Sequence, residues 1–169
     1  MKGNFSVRGF SLIELMVVLA IVGMVMTLVT ANLDFLVPSS RLGAGARSLA
    51  STLILAHNQA AINGEDAILS YHIDKQTYQL ILIRDGKKEP FSIWKLPRGV
   101  KYQDILAAGE KKKTRGIFQV YLSPTGIVRG HVIHLKNQEG DTLTIEVNPL
   151  SGTVDVLDGY RPLDFVEKP

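Results

Sequence analysis

An α+β protein, with one long N-terminal helix packed on an antiparallel β-sheet head, is what this sequence predicts. Three observations lead there. Nineteen consecutive residues, Leu15–Leu33, carry no charge and are mostly apolar. A second apolar stripe follows at helical spacing as far as Ala60. Beyond residue 66 the pattern changes to short alternating segments punctuated by Gly, Asn and Asp, as half-buried antiparallel strands require.

The first run matches the roughly 20 apolar residues that an α-helix needs to cross a hydrocarbon core of about 30 Å. It therefore predicts a membrane-spanning helix. Lys2 and Arg8 precede the run, whereas the next basic residue after it is Arg41. The positive-inside rule then leaves the N-terminus in the cytoplasm and exports everything after about Leu36. A cleaved secretory signal fits poorly, because no small-x-small site closes the run. Pro38 interrupts the helix, and a proline inside a helix kinks it without necessarily ending it. Leu42, Ala46, Leu49, Leu53, Ala56 and Ala60 then recur at spacings of four, three, four, three and four. That is one apolar face of an amphipathic helix, and Asn63-Gly64 is its stop.

Strands are expected at residues 67–74, 77–84, 91–96, 117–123, 130–136, 142–148 and 153–157, with a polar connection between the third and fourth. Asp74-Lys75-Gln76, Asp85-Gly86, Gly126, Glu139-Gly140-Asp141 and Ser151-Gly152 supply the turns.

Composition excludes several classes. The chain has 169 residues and no Cys, so it holds no disulfide scaffold, thiolate zinc site or cysteine nucleophile. With 46% apolar residues it is not a disordered chain. A formal charge of +3 is too small for a dedicated polyanion binder.

Glu14 stands out as an acid just inside the apolar helix. Such a residue costs on the order of 2.5–3.5 kcal/mol at a membrane centre, and less near an end, so it wants a cationic partner. Its surroundings read Arg8-Gly9-Phe10-Ser11-Leu12-Ile13-Glu14. The pattern G-F-[S/T]-L-[I/V]-E ahead of an apolar helix resembles the class III signal of type IV pilins and type II secretion pseudopilins, from Gly9 to about Leu33. The resemblance implies that a membrane prepilin peptidase cuts after Gly9 and methylates the new amine of Phe10. It also implies that Glu14, fifth in the mature chain, neutralises the N-terminal amine of a neighbouring subunit during assembly. An unpaired charge in low dielectric costs several kcal/mol, so such a pair would set register as well as contact. Removal of the leader takes away Lys2 and Arg8, so 19 − 2 = 17 basic side chains face 16 acidic ones.

The C-terminal half narrows the resemblance. Gly116–Gly126 and Ile145–Val154, GIFQVYLSPTG and IEVNPLSGTV, are similar in layout to the GspH/FimT group of minor pseudopilins and minor pilins. The implied fold is pilin-like. The implied organisation is a cleaved leader (1–9), a transmembrane and assembly helix (10–37), its amphipathic half (38–64) and a periplasmic β-rich head (65–169). The implied role is a subunit of the type II secretion pseudopilus that helps export folded proteins. Its partners would be other pseudopilins, the prepilin peptidase and an inner-membrane assembly platform. A FimT-like minor type IV pilin for pilus assembly or DNA uptake is the alternative.

No catalytic residue, metal site or cofactor is expected. His131 and His134, three apart on an expected strand, face opposite sides. Asp155, Asp158 and Asp164 do not have the spacing of a calcium loop. The run Glu110–Gly116 contains the candidate contacts to an anion or DNA: Lys111, Lys112, Lys113 and Arg115. DNA-binding FimT-like proteins carry arginines after a Gly-Arg pair near the C-terminus, where this chain has Ser151-Gly152-Thr153-Val154-Asp155. That departure argues against nucleic acid as a partner.

Overall fold

A computed structural model describes residues 10–125, 129–149 and 152–163, with the side chains of residues 27–38 outside that description. The expected leader with Gly9, the Gly126 and Ser151 turn positions, and Asp164 lie outside the described residues. One helix, α1, spans Leu12–Asn63. Compactness divides the chain within it, into residues 1–37 and 38–169, and each part is described by itself.

In the first part, Ser11 caps the helix. The Glu14 backbone N–H donates to Ser11 Oγ at 3.4 Å, and Leu15 N–H donates to the Ser11 carbonyl at 3.2 Å, as an N-cap serine does. The apolar side chains from Leu12 to Met26 are exposed, Leu12 by 78% and Met24 by 72%. Among the described residues no helix is long and apolar enough to cross a membrane. The described side chains stop at Met26, partway through the apolar run Leu15–Leu33.

Among the described residues the core cluster lies in the second part. Leu42, Ala46, Leu49, Leu53, Ala56 and Ala60 are all buried, so the stripe read from spacing is the face the helix hides. Alternating Leu with Ala lets the helix approach the strands closely. Fully burying each Leu side chain contributes about 1.5–3 kcal/mol. Helix α1 ends at Asn63, with Gly64 at φ +65°, the left-handed position that favours glycine after a helix.

Among the described residues eight strands follow: β1 (Asp66–His72), β2 (Thr77–Arg84), β3 (Lys87–Lys95), β4 (Lys101–Ala107), β5 (Ile117–Leu122), β6 (His131–Lys136), β7 (Thr142–Val147) and β8 (Val154–Asp158). They form two four-stranded sheets, in the orders β3-β2-β1-β5 and β4-β6-β7-β8. Every pairing is antiparallel. Both sheets turn apolar residues toward α1, among them Leu69 and Leu80 from one and Ile133 and Ile145 from the other.

Two strands differ from expectation. β4 occupies what reads as a polar connection, because a bulge between Tyr102 and Asp104 breaks its alternation and its buried face includes an aspartate. β3 begins at Lys87, four residues before the expected Phe91. It is a sheet edge carrying Pro90 opposite Ile81, beside an irregularity at Leu80/Ile81. A proline is tolerated there because an edge strand has one side without ladder bonds.

One end of the head is where the chain enters it. Arg41 lines a small cleft there with Arg98, Gly99, Asn137 and Gln138. The turn before β2 is tied to the same end. Gln76 accepts from Leu96 N–H through its carbonyl (2.9 Å) and from Tyr102 N–H through Oε1 (2.7 Å).

Candidate functional site

The residues singled out in sequence fall in separate places. Phe10 and Glu14 lie at the start of α1, both exposed, Phe10 by 75%. Among the described residues the Glu14 carboxylate has no partner within the chain, while its backbone N–H donates to Ser11 Oγ. An acid in the first turn also meets the positive end of the helix dipole. This segment therefore presents an aromatic residue, an unpartnered carboxylate and an apolar helix surface to whatever lies beside it.

The basic run is partly spoken for. Lys113 pairs with Ile105 through both backbone groups (2.8 and 2.9 Å), and its Nζ donates to the Ile117 carbonyl at 2.5 Å. Lys112 Nζ lies 3.7 Å from Asp104 Oδ2 and 4.8 Å from the centre of the Tyr160 ring. The Tyr160 hydroxyl and then the Asp104 charge raise the Lys112 pKa. Glu110, the acid of the run, pairs with Arg129 at 2.8 Å. Lys111 and Arg115 face solvent. Two of the four candidate cations thus turn back onto the head.

The same region contains a cluster that sequence reasoning missed. Asp104 and His134 are both buried, and His134 Nδ1 is hydrogen-bonded to Asp104 Oδ1 at 2.7 Å. His134 Nε2 donates to the Arg161 carbonyl, also at 2.7 Å. A backbone carbonyl only accepts, so Nε2 carries a proton, and the ring bridges Asp104 to the Arg161 carbonyl. Tyr160 stacks on His134 with centroids 3.8 Å apart, and its hydroxyl reaches Asp104 Oδ1 at 3.4 Å. Thr144 completes the strap: its Oγ1 donates to the Gly159 carbonyl (2.7 Å) and accepts from Arg161 N–H (2.9 Å). Residues 159–161 are thereby fastened across the second sheet. Asp104 and His134 are thirty positions apart; the one local signal is a polar residue at an inward strand position.

His131 projects from the other face of β6. Its Nδ1–H donates to the Arg129 carbonyl at 2.7 Å, leaving Nε2 to accept from the Tyr71 hydroxyl at 3.0 Å. Burial pushes its pKa down to about 4. The two histidines serve separate networks. Among the described residues, no group of three or more His, Cys, Asp or Glu is placed to hold a metal ion.

An open groove of about 740 Å³ runs between the start of the buried half of α1 and strands β7 and β8. Its lining mixes apolar Leu42, Leu143 and Val156 with charged Arg47, Asp141 and Asp158.

Comparison with known proteins supplies two findings. Residues 4–30 match the family described as the prokaryotic N-terminal methylation motif. A search of curated proteins finds no significant match. Among solved structures, the minor pseudopilin EpsH from the type II secretion system of Vibrio cholerae superposes with a TM-score of 0.61 at 14% identity, covering 73% of this chain and 97% of that one. Escherichia coli GspH gives a TM-score of 0.51 at 15% identity, over 73% and 93%. The type IV minor pilin FimU of Pseudomonas aeruginosa gives 0.51 at 11%, over 70% and 89%. At these identities the likeness establishes the fold, which is pilin-like.

Proposed function

We propose that this chain, with its N-terminal methylation motif and pilin-like fold, is a minor pseudopilin, a structural subunit of a type II secretion pseudopilus. One observation carries the reading: the methylation motif over residues 4–30 stands ahead of a head that folds like EpsH and GspH. In this reading the chain is made with a leader that a prepilin peptidase removes after Gly9, leaving a methylated amine on Phe10. The apolar helix anchors the subunit in the inner membrane as a single pass, with its head in the periplasm. On assembly the helix leaves lipid for the filament, where apolar helices of sister subunits cover Leu12 to Met26. Glu14 then meets the amine of a neighbour, since an acid surrounded by apolar helices is stable only with a cation beside it. The exposed position of Glu14 and its unpartnered carboxylate support that role.

Two measurements test it. Glu14→Ala should insert into the membrane at wild-type level yet crosslink into filaments at least tenfold less; normal incorporation would remove the role of Glu14. In a strain lacking the chain, folded enzymes should vanish from the medium and build up in the periplasm, with complementation restoring them. The likeness to FimU favours a second reading, a minor type IV pilin. An unchanged medium together with lost twitching or DNA uptake would select it.

A further inference from the structure

Unpaired positive charge gathers at the end of the head where the chain enters. Arg41, Lys75, Lys95, Arg98, Lys101 and Lys136 are all exposed there. Arg41 and Arg98 line one cleft. Lys101 and Lys136 stand directly opposite each other across β4 and β6, and Lys95 pairs with Thr77 beside the turn that holds Lys75. The two bonds to Gln76 tie that turn to Leu96 and Tyr102, and so to the rest of the group. Among the described residues none of these cations has a carboxylate partner, whereas Arg84 is paired with Glu65 and Glu89, Arg129 with Glu110 and Lys112 with Asp104. Acids stand at this end too, but they are fewer than the six cations: Asp74 and Asp141 accept from Gly116 N–H and Asn137 Nδ2, Glu139 is exposed in its turn, and Asp158 lies opposite Leu143. Like charges directly opposite each other weaken a sheet, so the Lys101–Lys136 pair does not serve the fold.

We propose that this end of the head docks on an anionic phospholipid surface, that of the bilayer holding the N-terminal helix. The inference rests on the membrane-anchored reading above. Only residues 34–38 separate the apolar run from Ser39, a span of at most about 20 Å even when fully extended. The chain itself therefore keeps this end close to the lipid phosphates. Attraction between exposed charges fades over a screening length of about 8 Å at physiological salt, so the cations at the tethered end are the ones that a membrane feels. Each basic residue at an anionic surface raises partitioning about fivefold.

The test uses residues 38–169, which contain the complete core and form a compact unit. They are floated with vesicles of phosphatidylcholine alone, or of phosphatidylcholine and phosphatidylglycerol at three to one. Binding is expected with the anionic vesicles only, and it should disappear as salt is raised. The double variant Lys101→Gln/Lys136→Gln should bind about 25-fold more weakly. Lys87→Gln/Lys88→Gln removes equal charge from the opposite end of the β2–β3 pair and should stay within about twofold of wild type. Circular dichroism verifies that both variants fold. Absence of binding to anionic vesicles, equal loss in the two variants, or binding to duplex DNA with vesicles ignored would each overturn the proposal. Such a failure leaves the anchor reading standing, since that is judged separately by whether the full chain resists carbonate extraction from membranes.

Discussion

His131 and His134 share strand β6 and are both buried, yet they serve separate hydrogen-bond networks. Their spacing places them on opposite faces, and that much is legible in sequence. Their roles are not, because Tyr71 is sixty positions from His131 and Asp104 thirty from His134. His131 is held neutral: burial lowers its pKa to about 4 against an ordinary 6.5. The unfolded chain takes up a proton near pH 6.5 that the folded chain refuses until about pH 4. Stability is therefore complete above pH 6.5 and falls as the pH drops toward 4, by up to roughly 3 kcal/mol from this residue. Urea unfolding of residues 38–169 at pH 4.5 and pH 7.5 should show the loss, and His131→Gln should shrink the difference between the two midpoints. Asp104 and His134 are buried because each gives the other a hydrogen-bond partner. Removing one of them is costly because it leaves the other buried and unsatisfied.

At the scale of elements, α1 and β4 mark what periodicity can and cannot find. The stripe from Leu42 to Ala60 is uninterrupted, and every member is buried. β4 hides from pattern reading because its bulge shifts the alternation and Asp104 sits where an apolar residue is expected. Two glycines of α1 show how packing decides the sign of one substitution. A Cβ at Gly45 would stand 2.9 Å from Cδ of the rigid Pro97 ring, whereas one at Gly43 would meet the Arg47 guanidinium at 3.2 Å, and that group can swing aside. Alanine gains about 1 kcal/mol over glycine in a helix, and overpacking costs about 1–3 kcal/mol. Thermal melts should therefore find Gly43→Ala stabilised by about 0.5–1 kcal/mol and Gly45→Ala destabilised by about 1 kcal/mol.

For the whole molecule, the buried core belongs to residues 38–169, while the described apolar side chains before residue 27 lie open. The EpsH structure is covered over 97% of its length by 73% of this chain, so such a fold is complete without the remainder. Residues 38–169 expressed alone should unfold in one cooperative urea transition with the same midpoint as the head of the full chain. A lower midpoint or a broad transition would mean that the N-terminal segment contributes to head stability.

What the sequence determined by itself were the local properties. The apolar run, the Glu14 just before it, the amphipathic stripe and most turns are written in neighbouring residues, because helices and hairpins are decided by contacts a few positions apart. Tertiary structure alone decided the division of the strands between two sheets, the burial of Asp104 against His134, the capture of Lys112 by Asp104 and Tyr160, and the gathering of unpaired cations at one end. Each depends on residues between eight and more than fifty positions apart. The free energy of such a contact is set by which strands become neighbours, and no short stretch of sequence records that choice.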